Sequence, residues 1–83
     1  MWILYIIKCN DNSFYTGITT NIHRRLAEHS CGKGAKYTRG KGPFKLVYLE
    51  KYKTRGEASI REHKIKKFSH KKKLGLINKN HSK

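Results

Sequence analysis

Residues Trp2 to Ile7 are all apolar or aromatic, and half of them are β-branched. Such a run, extended to Lys8, predicts a strand covered on both faces and therefore central in its sheet. Asn10-Asp11-Asn12-Ser13 is a dense turn signal, after which Phe14 to Gly17 resumes strand character, so the two segments predict a hairpin. An even separation puts Tyr5 and Tyr15 on one side of the sheet if the turn centres near Asn10 or Asp11. The period then changes from two to that of a helix. With Thr20 as N-cap, Ile22 and Leu26 as an i, i+4 pair and Gly32 as a stop, a helix of about ten residues follows.

Gly32 to Pro43 holds four glycines, four basic residues and one aromatic in twelve positions, which predicts a loop with room for one helical turn at Ala35 to Thr38. Phe44 to Leu49 reads as an edge or third strand. Thr54 to Phe68 reads as a second helix with Ala58, Ile65 and Phe68 on its inner stripe, and Ser69 caps a third ending near Ile77. The expected class is α+β, a small three-stranded, mainly antiparallel sheet flanked by helices in the order β-β-α-β-α-α. One domain is expected over residues 1–83, with a core at about 2–77 and a flexible tail at 78–83.

Charge narrows the partner. Twenty Lys and Arg against five Asp and Glu give a formal charge of +15, which attracts polyanions. The bases are spread along the chain and not gathered on one face of a long amphipathic helix, so nucleic acid is favoured over an anionic membrane surface. No segment approaches the ~18 apolar residues of a membrane span, and the N-terminal apolar run lacks a basic leader, so a cytoplasmic protein is expected. Cys9 and Cys31 read as reduced small hydrophobes. A zinc site built from them with His23 and His29 fits no common ligand spacing.

Ile3-Leu4-Tyr5 and Tyr15-Thr16-Gly17, nine residues apart, are followed by Arg25 eight residues after Gly17, His29 one turn later, and Glu62 on the second helix. This arrangement resembles the GIY-YIG endonuclease superfamily, and from Trp2 to about Ile77 the chain is similar to its small stand-alone members, with the excision-repair nucleases' catalytic domain as the type. Ile3 stands in place of the first glycine and Thr16 in place of the second isoleucine. The resemblance implies a metal-dependent endonuclease acting on DNA phosphodiesters, with Gly17 as a structural motif residue and Tyr5, Tyr15, Arg25, His29 and Glu62 as the catalytic set. It places both tyrosines at the reacting phosphate and leaves open which one activates water. A free phenol, with a pKa of ~10, is a poor base at neutral pH and needs a neighbouring cation or metal.

Arg25 suits the scissile phosphate because a guanidinium donates two parallel hydrogen bonds and stays charged, whereas its neighbour Arg24 reads as a solvated base. His29 lies at i+4 from Arg25, on the same helix face. Glu62, on the shoulder of the inner stripe, is the expected ligand of a divalent metal, Mg²⁺ with Mn²⁺ able to substitute. Its ordinary reading is a helix ion pair with Lys66, worth a few tenths of a kcal/mol. Many members of the family also use an asparagine near the end of the domain, a place that Asn78 or Asn80 could fill without spacing to choose between them. Lys33, Lys36, Tyr37, Arg39 and Lys41 read as a segment that tracks phosphates and stacks on bases, and Lys71, Lys72 and Lys73 as a second basic patch. The alternatives to a DNA nuclease are RNA as the polymer, or a module of the same fold that binds nucleic acid with little or no turnover.

Overall fold

The fold is that of a computed structural model, which describes residues 1–31 and 40–81, and for residues 80 and 81 the backbone alone. The expected stop at Gly32 and the turn at Ala35 to Thr38 lie outside the described residues. Strand β1 is Trp2–Lys8, β2 is Phe14–Thr19 and β3 is Lys45–Tyr52, and helices α1, α2 and α3 are Ile22–Ser30, Arg55–Lys66 and His70–His81. The sheet order is β2-β1-β3, with both pairings antiparallel and β1, apolar or aromatic up to Lys8, in the centre.

The β1–β2 turn is held by its own polar side chains. Cys9 N–H donates to the Ser13 carbonyl at 2.8 Å, the Asp11 carboxylate accepts from Ser13 N–H at 3.0 Å, and Asn12 takes the left-handed conformation at φ 68°. Lys8 pairs with Phe14, which centres the turn on Asp11, and Tyr15 then falls opposite Ile7 and Gly17 opposite Tyr5. One face of the hairpin therefore carries Tyr5, Ile7, Tyr15 and Gly17, and the other Leu4, Ile6, Phe14 and Thr16. The second face builds the core with Tyr48, Ile65 and Ile77, beneath α2, which touches all three strands.

Several boundaries differ from those expected. β2 continues past Gly17 because the β-branched Ile18 and Thr19 pair with Leu4 and Ile3. The N-cap of α1 is Asn21, not Thr20: Asn21 is extended, its side chain accepts from Arg24 N–H at 3.0 Å, and the Thr19 hydroxyl accepts from Asn21 N–H. Cys31 closes that helix.

β3 starts at Lys45 and runs to Tyr52, past Leu49, because Glu50 is not a solvent charge at a strand end. Its carboxylate accepts from the Tyr48 and Tyr52 hydroxyls on the same strand face and from the Arg61 guanidinium on α2. The pairing with β1 slips by one residue between Ile6 and Ile7, where Val47 is the extra residue. In α2, Thr54 is the cap and not the first helical residue, and Phe68 packs on the core just after the helix ends. Ser69 accepts from Lys72 N–H at 3.2 Å as the expected cap, but α3 continues beyond Ile77 to His81.

Thr16 is 2 % exposed, and its hydroxyl has no hydrogen-bond partner among the described residues. Stranding a buried hydroxyl costs more than a methyl group in the same space. Thr16→Val should therefore stabilise the protein by about 1 kcal/mol, or ~4–8 °C in Tm, measured by thermal denaturation; a lower Tm would show that the hydroxyl is bonded in solution.

Candidate active site

The site begins with what glycine omits. Gly17 faces Tyr5 across the hairpin, and a Cβ there would lie 2.6 Å from the Tyr5 hydroxyl oxygen and 2.8 Å from Cζ. The absent side chain is the space in which the Tyr5 phenol lies across β2.

Helix α1 closes over this phenol. Ile22, Arg25, Leu26 and His29 follow i, i+3, i+4, i+7 spacing, so the face that packs inward carries a guanidinium and an imidazole as well as two apolar groups. His29 Nε2 is 2.9 Å from the Tyr5 hydroxyl, and Arg25 Nε donates to the same oxygen over a longer 3.4 Å. Tyr5 is 0 % exposed and His29 2 %, while the Arg25 side chain keeps 28 %.

Burial pushes the His29 imidazole below its ordinary 6.5, helped by the nearby Arg25 charge and opposed by Glu28. This favours the neutral ring at pH 7, and because the Tyr5 hydroxyl accepts from Arg25 and keeps a proton of its own to give, the tautomer with Nε2 unprotonated completes the chain. Burial likewise drives the Tyr5 phenol up to about 12, against the pull of Arg25, so it keeps that proton. Burial pulls Arg25 down, but its hydrogen bonds to Tyr5 and Glu28 outweigh this and raise it. Arg25 NH1 is 3.1 Å from Glu28 Oε1, a partly buried i, i+3 pair.

Tyr15 stands beside this chain of bonds, its ring centroid 6.4 Å from that of Tyr5 and 5.4 Å from that of His29, and it is only half-buried. Lys66 Nζ lies 6.0 Å from the Tyr15 centroid and 3.2 Å from Glu62 Oε2. The expected helix ion pair is thus present, yet Glu62 also lies close enough to add its charge to the forces raising Tyr5. Five residues expected to act together, Tyr5, Tyr15, Arg25, His29 and Glu62, come from four different elements to one place.

Among the described residues no group of three or more His, Cys, Asp or Glu is arranged to hold a metal. Glu62 is a single carboxylate, 16 % exposed, paired with the half-exposed Lys66 of its own helix. That donor set suits an ion such as Mg²⁺, which commonly takes one carboxylate and fills its remaining positions with water and phosphate oxygens.

Lys33, Lys36, Tyr37 and Arg39 lie outside the described residues. Lys41 sits 3.5 Å from Asp11 Oδ2, and its carbonyl accepts from Asn10 N–H, so this base is tied to the β1–β2 turn. The Lys71–Lys73 patch belongs to the first turn of α3: Lys72 Nζ lies 4.3 Å over the Phe68 ring, and Lys73 lines a cleft of about 330 Å³ with Phe14, Tyr15, Thr16 and Lys66. Asn78 is on α3 and exposed, whereas the Asn80 side chain lies outside the described residues. Cys9 is buried and Cys31 exposed, both as free thiols.

Sequence reading passes over Phe44, whose ring meets His29 edge-on at 5.8 Å, and over Lys66 as a neighbour of Tyr15. Phe44 carries no periodic signal after a glycine-rich stretch. For Lys66 the i+4 spacing from Glu62 is the available clue.

A family model described as the GIY-YIG catalytic domain matches residues 1–75. The chain belongs to the GIY-YIG family. Among curated relatives, it is 53 % identical to a UPF0213 protein of Staphylococcus haemolyticus over 89 % of this chain and 90 % of that one. It is also 53 % identical to a UPF0213 protein of Clostridium perfringens, over 89 % and 80 %. The solution NMR structure of a UPF0213 protein from Bacillus halodurans is similar at TM-score 0.61 and 46 % identity, covering 94 % of this chain and 84 % of that one. A solution NMR structure from E. faecalis gives TM-score 0.66 at 41 % identity, covering 98 % and 86 %.

Within the GIY-YIG frame, the two departures have different contexts. Ile3 sits on β1 opposite Thr19, partly buried, while Thr16 brings the unbonded hydroxyl into the core. Gly17 keeps the motif's glycine because Tyr5 occupies its side-chain space. Gly17→Ala should displace the Tyr5 phenol, break its bonds to His29 and Arg25 and destabilise the fold by about 1–3 kcal/mol in a chemical denaturation series. Unchanged stability would mean that Tyr5 has a second accommodating position.

Proposed function

We propose that this protein is a divalent-metal-dependent endonuclease that hydrolyses DNA phosphodiester bonds. The observation that carries the reading is a guanidinium oriented on its buried side by a neutral phenol–imidazole pair, with a carboxylate contact to Glu28 on its outer side. The hydrogen-bond chain runs from Arg25 Nε–H to the Tyr5 hydroxyl and from that hydroxyl to His29 Nε2, so Arg25 is fixed without being neutralised by the buried pair. Its partly exposed charge remains available to phosphate.

Burial distinguishes the two tyrosines. Tyr5, 0 % exposed, positions Arg25, whereas the half-buried Tyr15 is the phenol that can reach water and the reacting phosphate. In this reading Tyr15 Oη accepts a hydrogen bond from the attacking water and orients it in line with the leaving oxygen; the water's proton passes to solvent as the new O–P bond forms, and the leaving oxygen takes one from solvent as it departs. Arg25 donates to the non-bridging phosphate oxygens, where charge grows as the new O–P bond forms and the old one breaks. His29 holds Tyr5 and, through it, the Arg25 plane. Glu62 would hold the divalent ion, which supplies Lewis-acid stabilisation of the leaving oxygen when bound. Lys66 and Lys73 flank Tyr15 and attract the phosphates on either side.

The test is Mg²⁺-dependent nicking of plain and branched DNA by purified protein beside its variants. Arg25→Ala should lose about 10³-fold or more in cleavage with DNA affinity nearly intact, because one base among many contributes little to nonspecific binding. Glu62→Gln should lose the metal-dependent activity, and excess Mg²⁺ should restore little. Wild-type rates in both variants would refute the site. Tight DNA binding by the wild type with no cleavage under any divalent metal would leave the binding module as the function.

A further inference from the structure

A second cleft, of about 410 Å³, opens beside Arg25 at the far end of β2 from Lys73, and no step proposed above uses it. Its walls carry three guanidiniums, those of Arg24, Arg25 and Arg55, against one carboxylate, Glu28, which is already paired with Arg25 at 3.1 Å. Its aromatic surface is Trp2, the chain's single tryptophan, partly exposed at the start of β1. The Arg55 guanidinium carbon stands 5.6 Å over the Trp2 ring centroid, so this cation lies on the indole face, and a nucleobase that takes its place would push it toward the nucleotide's own phosphate. The volume lies in the ~300–1,000 Å³ range of small-ligand sites.

We propose that this cleft is a subsite for one unpaired nucleotide next to the scissile phosphate. Arg24 and Arg55 hold its phosphate, and its base lies against Trp2. Guanidiniums supply the planar donors that phosphate oxygens accept, and every nucleobase has a face that stacks on an indole. Arg25 belongs both to this cleft and to the Tyr5–His29 chain, so a nucleotide bound here is the neighbour of the phosphate at Arg25. A base cannot lie against Trp2 while stacked in a duplex, so the site favours single-stranded or branched DNA over a plain helix. The exposed Arg24, an ordinary surface base by sequence, thereby gains a binding role distinct from that of Arg25.

This inference rests on the nucleic-acid part of the proposed function and not on turnover, so its test is binding in EDTA, where cleavage plays no part. A labelled tetrathymidylate is titrated against the full chain, with anisotropy reporting affinity and Trp2 emission reporting the cleft. Emission should fall with the same midpoint as the anisotropy rises, and a blunt duplex should bind without that fall. Arg24→Ala/Arg55→Ala should weaken tetrathymidylate binding about tenfold. The charge-matched Lys51→Ala/Lys53→Ala pair, exposed on and just after β3, should weaken it much less. Anisotropy rising with Trp2 emission unchanged overturns the proposal, as do equal losses in the two double variants or no binding of the tetranucleotide. Should Arg24→Ala/Arg55→Ala fail to fold by circular dichroism, the wild-type emission result decides alone.

Discussion

The site depends on one run of hydrogen bonds, from Arg25 through the Tyr5 hydroxyl to a neutral His29. Each member has a reason for its state. Tyr5 can reach the helix because Gly17 has no side chain, and burial keeps its proton on. His29 occupies an inner position of α1, where burial lowers its affinity for a second proton and Nε2 meets the Tyr5 hydroxyl. A buried carboxylate in that place would grip Arg25 more strongly and cancel its charge as it did so. A neutral phenol–imidazole pair orients the guanidinium without adding a negative charge to the one that Glu28 already brings to it.

Around that run the charges are divided by element. Glu50 binds Arg61 through two guanidinium nitrogens and accepts from two tyrosine hydroxyls, which ties α2 to β3 and fixes the helix that carries Glu62. The hydrogen bonds to Glu50 outweigh its burial and keep it ionised, and Tyr52 is pushed up to about 12 by burial and by that bond. Glu62, one residue further along α2, is left with a flexible lysine instead. The same helix thus presents one arginine bound to a strand carboxylate and one carboxylate paired within the helix. On this reading the strand of DNA runs along the edge strand β2, with Lys66 and Lys73 near its start and Arg24 and Arg55 near its end.

Much of this is legible in the chain itself. The parity of Tyr5 and Tyr15 follows from a turn whose centre is marked by Asn and Asp, and the shared face of Arg25 and His29 follows from i+4 spacing. What linear reading misses depends on contacts across the fold. Thr20 and Asn21 are both acceptable caps, and the Thr19 hydroxyl, which engages Asn21, favours the second. Glu50 looks like the end of a strand until Arg61 arrives from α2 to satisfy it. Which tyrosine is buried is invisible in the motif, because the answer lies in what covers each ring: His29 bonds the hydroxyl of Tyr5 and meets the Tyr15 ring edge-on. The value of Trp2 beside three arginines is hidden for the same reason, since residues from β1, α1 and α2 meet only in the folded chain.

The most direct measurement is the state of the His29 ring by ¹⁵N-detected NMR titration of the intact protein. A neutral imidazole at pH 7 is expected, with Nε2 unprotonated, a midpoint below 6.5 and a Tyr5 phenol that remains protonated up to about pH 12. An imidazolium at neutral pH, or a proton on Nε2, would reverse the donor and acceptor roles at the Tyr5 hydroxyl and contradict the neutral anchoring of Arg25.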